Sequence, residues 1–239
     1  MKKILLALIL LSTIIGSCTN SKFKYPESKV WAHRVNDIES AKIKSKNFDG
    51  IEVDAIYSKF QKKIFIGHEL ADTINNIMLD EWFNAIENPS KKCFWIDFKN
   101  LDTENATDIA YNICSTMARK GLHDNIFVES YNIQALKKLK KTGLRIILWT
   151  DDLSWNKLDT ATWCKQTKER IEDLKPDAIS NRAEMAELMI RTFPEQNIHI
   201  WQTPAEYNEK NAERTRELCN NKSVYVVLVD YDKPIKANE

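Results

Sequence analysis

The stretch IFVESYNIQALKKLKKTGLRIILWT, residues 126–150, predicts the fold because it contains one complete strand–helix–strand unit. Residues 126–130 and 145–150 are short apolar runs rich in β-branched and aromatic side chains, which is typical of strands. Between them, apolar side chains recur at helical spacing, with Asn132 and Gly143 at the positions of N-terminal and C-terminal helix caps. Because the second strand follows its helix at once, the unit predicts alternating strands and helices.

The same alternation extends in both directions along the chain. Strand-like runs occur at residues 30–35, 50–57, 94–99, 126–130, 145–150, 177–180, 198–202 and 224–230. A further short run at 63–67 is expected to extend the second run as a hairpin. Helical periodicity occurs at 105–120, 132–142, 182–191 and 205–220. Eight strands with intervening helices predict an α/β fold, a (β/α)8 TIM-type barrel in a single domain.

A doubly wound open sheet is the alternative architecture. The first strand is not followed by a glycine-rich phosphate loop, and the 239 residues contain only 5 glycines, so a dinucleotide-binding sheet is disfavoured. The composition, 43% hydrophobic and 29% charged, is that of a globular protein, and one barrel accounts for the length. A formal net charge of +1 provides no basic surface for nucleic acid, so we expect no nucleic-acid partner. We also expect a monomer.

The N-terminal residues are predicted to be an export signal. Lys2 and Lys3 precede an apolar run over residues 4–15 that is too short to span a bilayer as a mature helix. The run ends in Ile15-Gly16-Ser17-Cys18, which resembles the bacterial lipobox, where the chain is cut just before a cysteine that then carries lipid. We therefore expect Cys18 to be lipidated.

The expected organisation of the chain follows from that cleavage site. It is a lipoprotein signal peptide at residues 1–17, a tether at 18–28 and the barrel domain at 29–239. The expected location is the bacterial cell envelope, either periplasmic or on the outer surface. Contact with the membrane is expected through the lipid anchor.

Four cysteines remain after Cys18, at positions 93, 114, 164 and 219. An even number allows three disulfide pairings if the compartment is oxidising. Their spacing matches neither a zinc site nor a redox motif, which favours thiols that pack as small hydrophobic groups.

Carboxylates gather at the predicted C-terminal ends of the strands, where the active site of such a barrel lies. Glu52 and Asp54 are separated by one residue, so both point to the same face of their strand. Together with Asp97 they would repel one another in one barrel mouth unless a positive charge is present. Oxygen ligands favour Mg²⁺ or Ca²⁺ over Zn²⁺, so we predict that these three residues bind one divalent cation.

Basic side chains stand beside these carboxylates. Lys99 would supply a fixed positive charge for an anionic substrate group, and Arg34 can bind such a group bidentately, with phosphate as the natural candidate. His33, at the end of the first strand, and His68, beyond the second, are predicted to form the catalytic pair, exchanging roles as general base and acid at neutral pH.

Four motifs resemble, in order and rough spacing, the signatures of the PLC-like phosphodiesterases. That superfamily includes the glycerophosphodiester phosphodiesterases and the sphingomyelinase D-like phospholipases. The motifs are Trp31-Ala32-His33-Arg34, Ile51-Glu52-Val53-Asp54, Gly67-His68-Glu69 and Ile96-Asp97-Phe98-Lys99. The resemblance covers residues 29–101 well and the remainder by strand order, with Trp201 similar to the late-strand tryptophan of the family. It implies a barrel that holds one Mg²⁺ or Ca²⁺ on the three carboxylates and uses the two histidines as a pair.

Some residues depart from the glycerophosphodiesterase pattern. Val35-Asn36-Asp37 follows the first histidine motif, where glycerophosphodiesterases usually have glycine and a Pro-Glu-Asn-Thr stretch. This segment and Asp97-Phe98-Lys99 look more like the sphingomyelinase D-like branch, although that branch's cysteine-rich loop is absent. Residues 70–92 are too few for the capping domain of some glycerophosphodiesterases, so the mouth of the barrel is expected to be open.

The predicted function is that of a phosphoric diester hydrolase, a metal-dependent phosphodiesterase acting on a glycerophosphodiester or a (lyso)phospholipid-type phosphodiester. One alternative is a lipoprotein that binds a phosphorylated ligand without turnover. A second alternative is a glycosidase-type barrel that uses paired carboxylates. It is disfavoured because it leaves the two histidines and Lys99 without a role. Trp201 is expected to form a substrate-binding wall rather than only to fill the barrel. Glu129 and Asp230 either support the site or are loop acids, and His199 is expected to be structural.

Overall fold

The computed structural model describes residues 23–69, 71, 77–122, 124–202 and 206–235. The predicted signal peptide and Cys18 lie outside the described residues. Within those ranges, none of the helices has the length and apolar character needed to cross a membrane.

Eight parallel strands close into a barrel, and the predicted (β/α)8 TIM-type fold in a single domain is confirmed. The barrel strands are β1 (Val30–Ala32), β2 (Gly50–Ser58), β4 (Cys93–Phe98), β5 (Ile126–Ser130), β6 (Arg145–Trp149), β7 (Ala178–Arg182), β8 (Ile198–Trp201) and β9 (Val224–Val229). The sheet closes because β1 pairs with both β2 and β9. β3 (Lys63–Ile66) pairs antiparallel with β2 and forms the expected hairpin.

Helices follow the strands around the barrel. They are α1 (Ile38–Asn47), α2 (Leu79–Ala85), α3 (Ala106–Lys120), α4 (Ile133–Lys140), α5 (Thr160–Leu174), α6 (Ala186–Thr192) and α7 (Glu209–Asn220). The predicted cap of α4 is confirmed, because the side chain of Asn132 accepts a hydrogen bond from the backbone N–H of Ala135. Gly143 follows the same helix with a φ of 89°, a left-handed conformation that favours glycine.

Three element boundaries differ from the prediction by several residues. The helix expected over residues 205–220 begins at Glu209, because Asn208 is its N-cap and has an extended backbone conformation. The helix expected over residues 182–191 begins only at Ala186, since Arg182 pairs with Trp201 of β8 and therefore ends β7. The first strand, expected over residues 30–35, ends at Ala32. Arg34 has a left-handed φ of 49°, and its backbone N–H donates to the Glu52 carboxylate instead of to a neighbouring strand.

Aromatic side chains fill part of the barrel interior. Trp31, Trp95, Phe127 and His199 are fully buried there. Gly50 makes room for one of them, because a Cβ at this position would lie 1.9 Å from the Trp31 ring. His199 is thus a core residue, as expected from the sequence.

The N-terminal end of the barrel is covered by residues that precede β1. Phe23 packs edge to face on Phe127 at 5.0 Å between ring centroids. Tyr25 stacks at 5.7 Å on the same ring, and its hydroxyl lies 3.1 Å from Nε2 of His199. The predicted tether, residues 18–28, is therefore packed against the barrel from Phe23 onward.

All four described cysteines are free thiols. Cys93 is buried at the start of β4, and burial raises the pKa of its thiol to about 12, which keeps it protonated at neutral pH. These cysteines serve as small packing groups, and no disulfide joins them.

Candidate active site

A cavity of about 370 Å³ opens at the C-terminal ends of the barrel strands. The predicted site residues of the barrel domain all line it: His33, Arg34, Glu52, Asp54, His68, Asp97, Lys99 and Trp201. Trp95, Glu129, Trp149, Trp155 and Leu228 complete the lining. Because these residues come from six barrel strands and from the segments that follow β1, β3, β4 and β6, only the closed barrel brings them together.

The three predicted metal ligands lie side by side. Asp54 of β2 is the register partner of Asp97 of β4, and Glu52 points into the barrel two residues earlier. One oxygen from each carboxylate lies within 4.8 Å of the others. Oδ1 of Asp97 is buried and accepts no hydrogen bond from the described residues. An all-oxygen cluster with an unsatisfied oxygen fits a hard divalent cation.

Lys99 joins two of these carboxylates. Its Nζ lies 2.7 Å from Asp54 Oδ1 and 2.5 Å from Asp97 Oδ2. Burial alone would raise the pKa of Asp54, but the Lys99 ammonium and the Asn36 amide bring that pKa below its ordinary value. For Asp97, burial and the nearby Asp54 charge outweigh Lys99 and raise the pKa. One lysine therefore compensates only part of the negative charge in this cluster.

Glu52 and Glu129 are the most strongly perturbed acids of the site. Burial raises the pKa of Glu52 well above its ordinary value, and the charges of Asp54 and Asp97 raise it further. Burial likewise raises the pKa of Glu129, with Asp97 as the nearby charge. Glu129 accepts hydrogen bonds from Ser180 Oγ and from Trp95 Nε1, so it is a buried support of the cavity floor and not a loop acid.

His33 lies between two carboxylates. Its Nδ1 is 3.1 Å from Asp230 Oδ1, and its Nε2 is 4.0 Å from Glu52 Oε2. Because a carboxylate accepts, the Asp230 contact favours a proton on Nδ1 and leaves Nε2 as the basic nitrogen. The sequence left open whether Asp230 supports the site or is only a loop acid. Its contact with His33 shows that it supports the site.

His68 is at the solvent side of the cavity, where about half of its side chain is exposed. Its Nδ1 lies 3.0 Å from Glu69 Oε1. The residue before it, Gly67, donates its N–H to the Asp54 carbonyl and has a φ of 153°, a region that other residues rarely adopt. This connects the position of His68 directly to β2 and its carboxylates.

Asn36 is a site residue for which no role was predicted. Its side-chain amide donates to Asp54 Oδ2 at 2.7 Å, and its side-chain oxygen accepts from the Asp54 backbone N–H at 3.0 Å. These two bonds fix the direction of one predicted ligand. The signal available in the sequence was the position of Asn36, two residues after the end of the first histidine motif.

An aromatic wall forms the other side of the cavity. Trp201 packs on Trp155 at 5.7 Å between ring centroids, and the Arg182 guanidinium lies 4.9 Å from the Trp155 ring centre. Arg182 in turn binds Asp152 through two nitrogens, at 2.5 and 3.2 Å. Trp155 was not predicted because it comes from the loop after β6, and a loop tryptophan has no strand pattern to place it.

Comparisons with known proteins locate the fold but not the sequence family. No family model matches the chain, and no curated protein matches it. A solved phosphodiesterase of Oleispira antarctica, in complex with the product sn-glycerol-3-phosphate, is 13% identical and has a TM-score of 0.62, covering 90% of this chain and 96% of that one. A glycerophosphodiester phosphodiesterase of Parabacteroides distasonis is 13% identical with a TM-score of 0.60, covering 87% and 94%.

A barrel enzyme of different chemistry also matches. N-(5'-phosphoribosyl)anthranilate isomerase of Pyrococcus furiosus is 16% identical with a TM-score of 0.51, covering 87% of this chain and 90% of that chain. Similarity at this level of identity shows a shared fold, so the chemistry has to be argued from the residues in the cavity.

Proposed function

We propose that this protein is a metal-dependent phosphodiesterase that acts on a glycerophosphodiester or a (lyso)phospholipid-type phosphodiester. The observation that carries the proposal is one cavity in which three clustered carboxylates, one lysine and two histidines meet. The two phosphodiesterase structures described above are similar to this chain, and one of them has sn-glycerol-3-phosphate bound, which supports the same substrate class.

Glu52, Asp54 and Asp97 would hold one Mg²⁺ or Ca²⁺. The cation would supply Lewis-acid polarisation of a phosphoryl oxygen. The protein's own contribution is to fix the ligands: Asn36 holds Asp54, and the Arg34 backbone N–H holds Glu52. Such supporting bonds keep the carboxylate oxygens directed into the cavity.

Lys99 and Arg34 are the cationic residues that line the cavity. Lys99 is half-buried against the carboxylates, so its charge is partly shielded from water and acts strongly at short range. Arg34 is exposed and offers a planar guanidinium for a phosphate oxygen pair. Trp201, with Trp155 beside it, provides an apolar face for the substituent of the phosphodiester.

The two histidines would transfer the protons. His33, oriented by Asp230, has its Nε2 free to act as a base toward the attacking hydroxyl or water. His68 would then protonate the departing oxygen, or the two roles are exchanged. A hydroxyl of the substrate itself is an alternative nucleophile and would yield a cyclic phosphate.

We further propose that Cys18 carries lipid and anchors the protein in the bacterial cell envelope. The support for this is the lipobox-like Ile15-Gly16-Ser17-Cys18 after a basic and then apolar segment. The alternative function, binding of a phosphorylated ligand without turnover, would use the same cavity.

One experiment separates the two functions. Purified protein is incubated with glycerophosphodiesters, lysophospholipids and sphingomyelin, with Mg²⁺, with Ca²⁺ and with a chelator, and released phosphomonoester or cyclic phosphate is followed by phosphorus NMR. We expect turnover that the chelator abolishes and that is lost in His33→Asn. Ligand binding without any turnover on this panel would contradict the proposed activity.

A further inference from the structure

The segment before β1 is fixed to the end of the barrel opposite the cavity. Phe23 packs on Phe127, the second residue of β5, and lies under the guanidinium of Arg145, the first residue of β6, at 4.6 Å. Tyr25 packs on Tyr225, near the start of β9, at 4.6 Å. The carboxylate cluster is at the C-terminal ends of the strands. The barrel core therefore lies between that cluster and the packed side chains of Phe23 and Tyr25.

A second contact fixes the end of this segment. The ammonium of Lys29 donates at 2.8 Å to the backbone carbonyls of Cys219 and Asn221. These carbonyls belong to the C-terminal end of α7, just before β9 begins, and therefore to the same face of the barrel. The chain from Phe23 to Lys29 is thus attached at both ends to the face away from the cavity.

The distance available to a lipid on Cys18 is short. Cys18 and Phe23 are five residues apart, so the chain between them spans at most about 17 Å. To reach the rim of the cavity, it would have to pass outward across the helix layer, about 10 Å thick, and then along the barrel. A helix of 15 residues such as α3 is already about 22 Å long. Five residues cannot cover that path.

We infer that in the anchored protein the cavity opens away from the membrane that holds Cys18, so that the substrate is a water-soluble phosphodiester and not a phospholipid of that membrane. The inference rests on the proposed function and on the proposed lipidation. It selects the glycerophosphodiester from the two substrate classes proposed above. A lipid of the anchoring membrane would have to leave the bilayer completely to reach His33 and Lys99.

The test uses the full lipidated protein in vesicles and one phosphodiester presented in two ways. Glycerophosphoethanolamine is supplied either free in solution or coupled through its amine to cholesterol in the bilayer that carries the protein. A matched variant has a flexible Gly-Ser insert of about 40 residues after Asn20, long enough for the barrel to turn over. We expect both proteins to hydrolyse the free substrate at equal rates. We expect the bilayer-bound substrate to be hydrolysed at least about tenfold faster by the long-tether variant, because a linker that cannot span two sites gives an effective concentration near zero.

Each control excludes a different explanation. Unanchored Cys18→Ala protein, added from solution, must hydrolyse the bilayer-bound substrate, which shows that this substrate is accessible. Equal rates of the native and long-tether proteins on the bilayer-bound substrate would overturn the inference, and so would vesicle binding that survives Cys18→Ala. Failure to hydrolyse free glycerophosphoethanolamine in every protein would instead contradict the proposed function, which keeps the two failures distinct.

Discussion

Lys99 places its ammonium between two predicted cation ligands, and its role can be separated from theirs. Lys99→Met keeps the side-chain length but removes the charge that pairs with Asp54 and Asp97. We expect divalent-cation affinity to be retained or to increase, since the carboxylates lose a competing positive charge. We expect kcat/KM to fall by about 10²- to 10³-fold, because an oriented charge on the phosphoryl group is lost.

The measurements are calorimetric titration of the cation and steady-state turnover. Lys59→Met is the matched control, because Lys59 pairs with Asp102 and Glu104 and does not line the cavity. Loss of cation binding together with activity in Lys99→Met would show that the lysine only positions the carboxylates.

His33 and His68 are expected to divide the proton transfers. If one acts as base and the other as acid, the rate requires one neutral and one charged imidazole and follows a bell-shaped pH profile. His33→Asn and His68→Asn should each lower kcat by about 10²-fold or more and remove one limb of the profile. A substrate with a better leaving group should rescue only the variant that lacks the acid.

His199→Gln is the control for the loss of a histidine outside the active site. His199 is buried in the barrel core and does not line the cavity. Cation affinity should be unchanged in both active-site variants. Full activity in both would return the two histidines to a structural role.

Cation binding should release protons, because Glu52 has a raised pKa. Burial and the charges of Asp54 and Asp97 let this carboxyl keep its proton to higher pH than a free glutamate does. The cation requires the ionised form, so its affinity should decrease as the pH falls, and this decrease should begin at a higher pH than a free glutamate would cause. Calorimetry in two buffers of different ionisation enthalpy measures the protons released. Cation binding that releases no protons and does not depend on pH would contradict this account of Glu52.

At the level of the strand, Gly50 limits what can be packed inside the barrel. A Cβ at Gly50 would lie 1.9 Å from the buried Trp31 ring, so Gly50→Ala forces that ring or β2 to move. We expect a destabilisation of about 1–3 kcal/mol from overpacking. The free energy of unfolding by urea is the measurement.

The smaller ring in Trp31→Phe should relieve part of the clash. We therefore expect the Gly50→Ala/Trp31→Phe double variant to be less destabilised than the sum of the two single variants. Strict additivity would mean that Gly50 and Trp31 do not compete for the same space.

Strand alternation explains how much of the site was predictable. Because every second residue points into the barrel, the spacing of Glu52 and Asp54 predicted their shared face, and register pairing then placed Asp97 beside Asp54. The barrel itself was predicted from eight strand-like runs with helical segments between them. These are local properties of short segments, and a single sequence contains them in full.

Contacts between distant segments could not be predicted in this way. The Asp230 partner of His33 comes from the other end of the chain, 197 residues away, and its short side chain gives no local signal of that pairing. Trp155 lines the cavity from a loop that long-range contacts hold in place, since Arg182 of β7 binds Asp152 and lies over the Trp155 ring. Phe23 and Tyr25 can cover the end of the barrel only when the strands have closed into a ring. The N-terminal segment itself therefore gives no local signal that it packs there.

Across the whole molecule, the barrel interior changes from aromatic at one end to ionisable at the other. Phe23, Tyr25 and Phe127 fill the closed end, whereas Glu52 and Asp97 occupy the open end. The repulsion among the carboxylates opposes folding, and burial of the aromatic end favours it. The fold thus tolerates a costly site because the energy that holds the barrel together is supplied elsewhere.

This arrangement makes the acid stability of the protein depend on His199. Burial lowers the pKa of His199 to about 3, whereas a histidine in the unfolded chain has a pKa near its ordinary value of 6.5. Between these values the unfolded chain binds a proton that the folded protein excludes, so this contribution to stability is complete above pH 6.5 and is lost as the pH falls toward 3. The expected slope is about 1.4 kcal/mol per pH unit, or roughly 3 kcal/mol between about pH 6 and about pH 4.

Comparison with His199→Leu isolates this effect from the carboxyls. Glu52 and Glu129 have raised pKa values, so their protonation stabilises the folded protein as the pH falls, opposite in sign to the histidine. These carboxyls are present in both proteins, and the difference in unfolding free energy between wild type and variant therefore cancels them. Urea unfolding of the cation-free proteins should show this difference shifting steadily in favour of the variant below pH 6.5. A difference that stays constant from neutral to acid pH would mean that His199 accepts its proton in the folded barrel, and the covering by Tyr25 would then have to open to admit it.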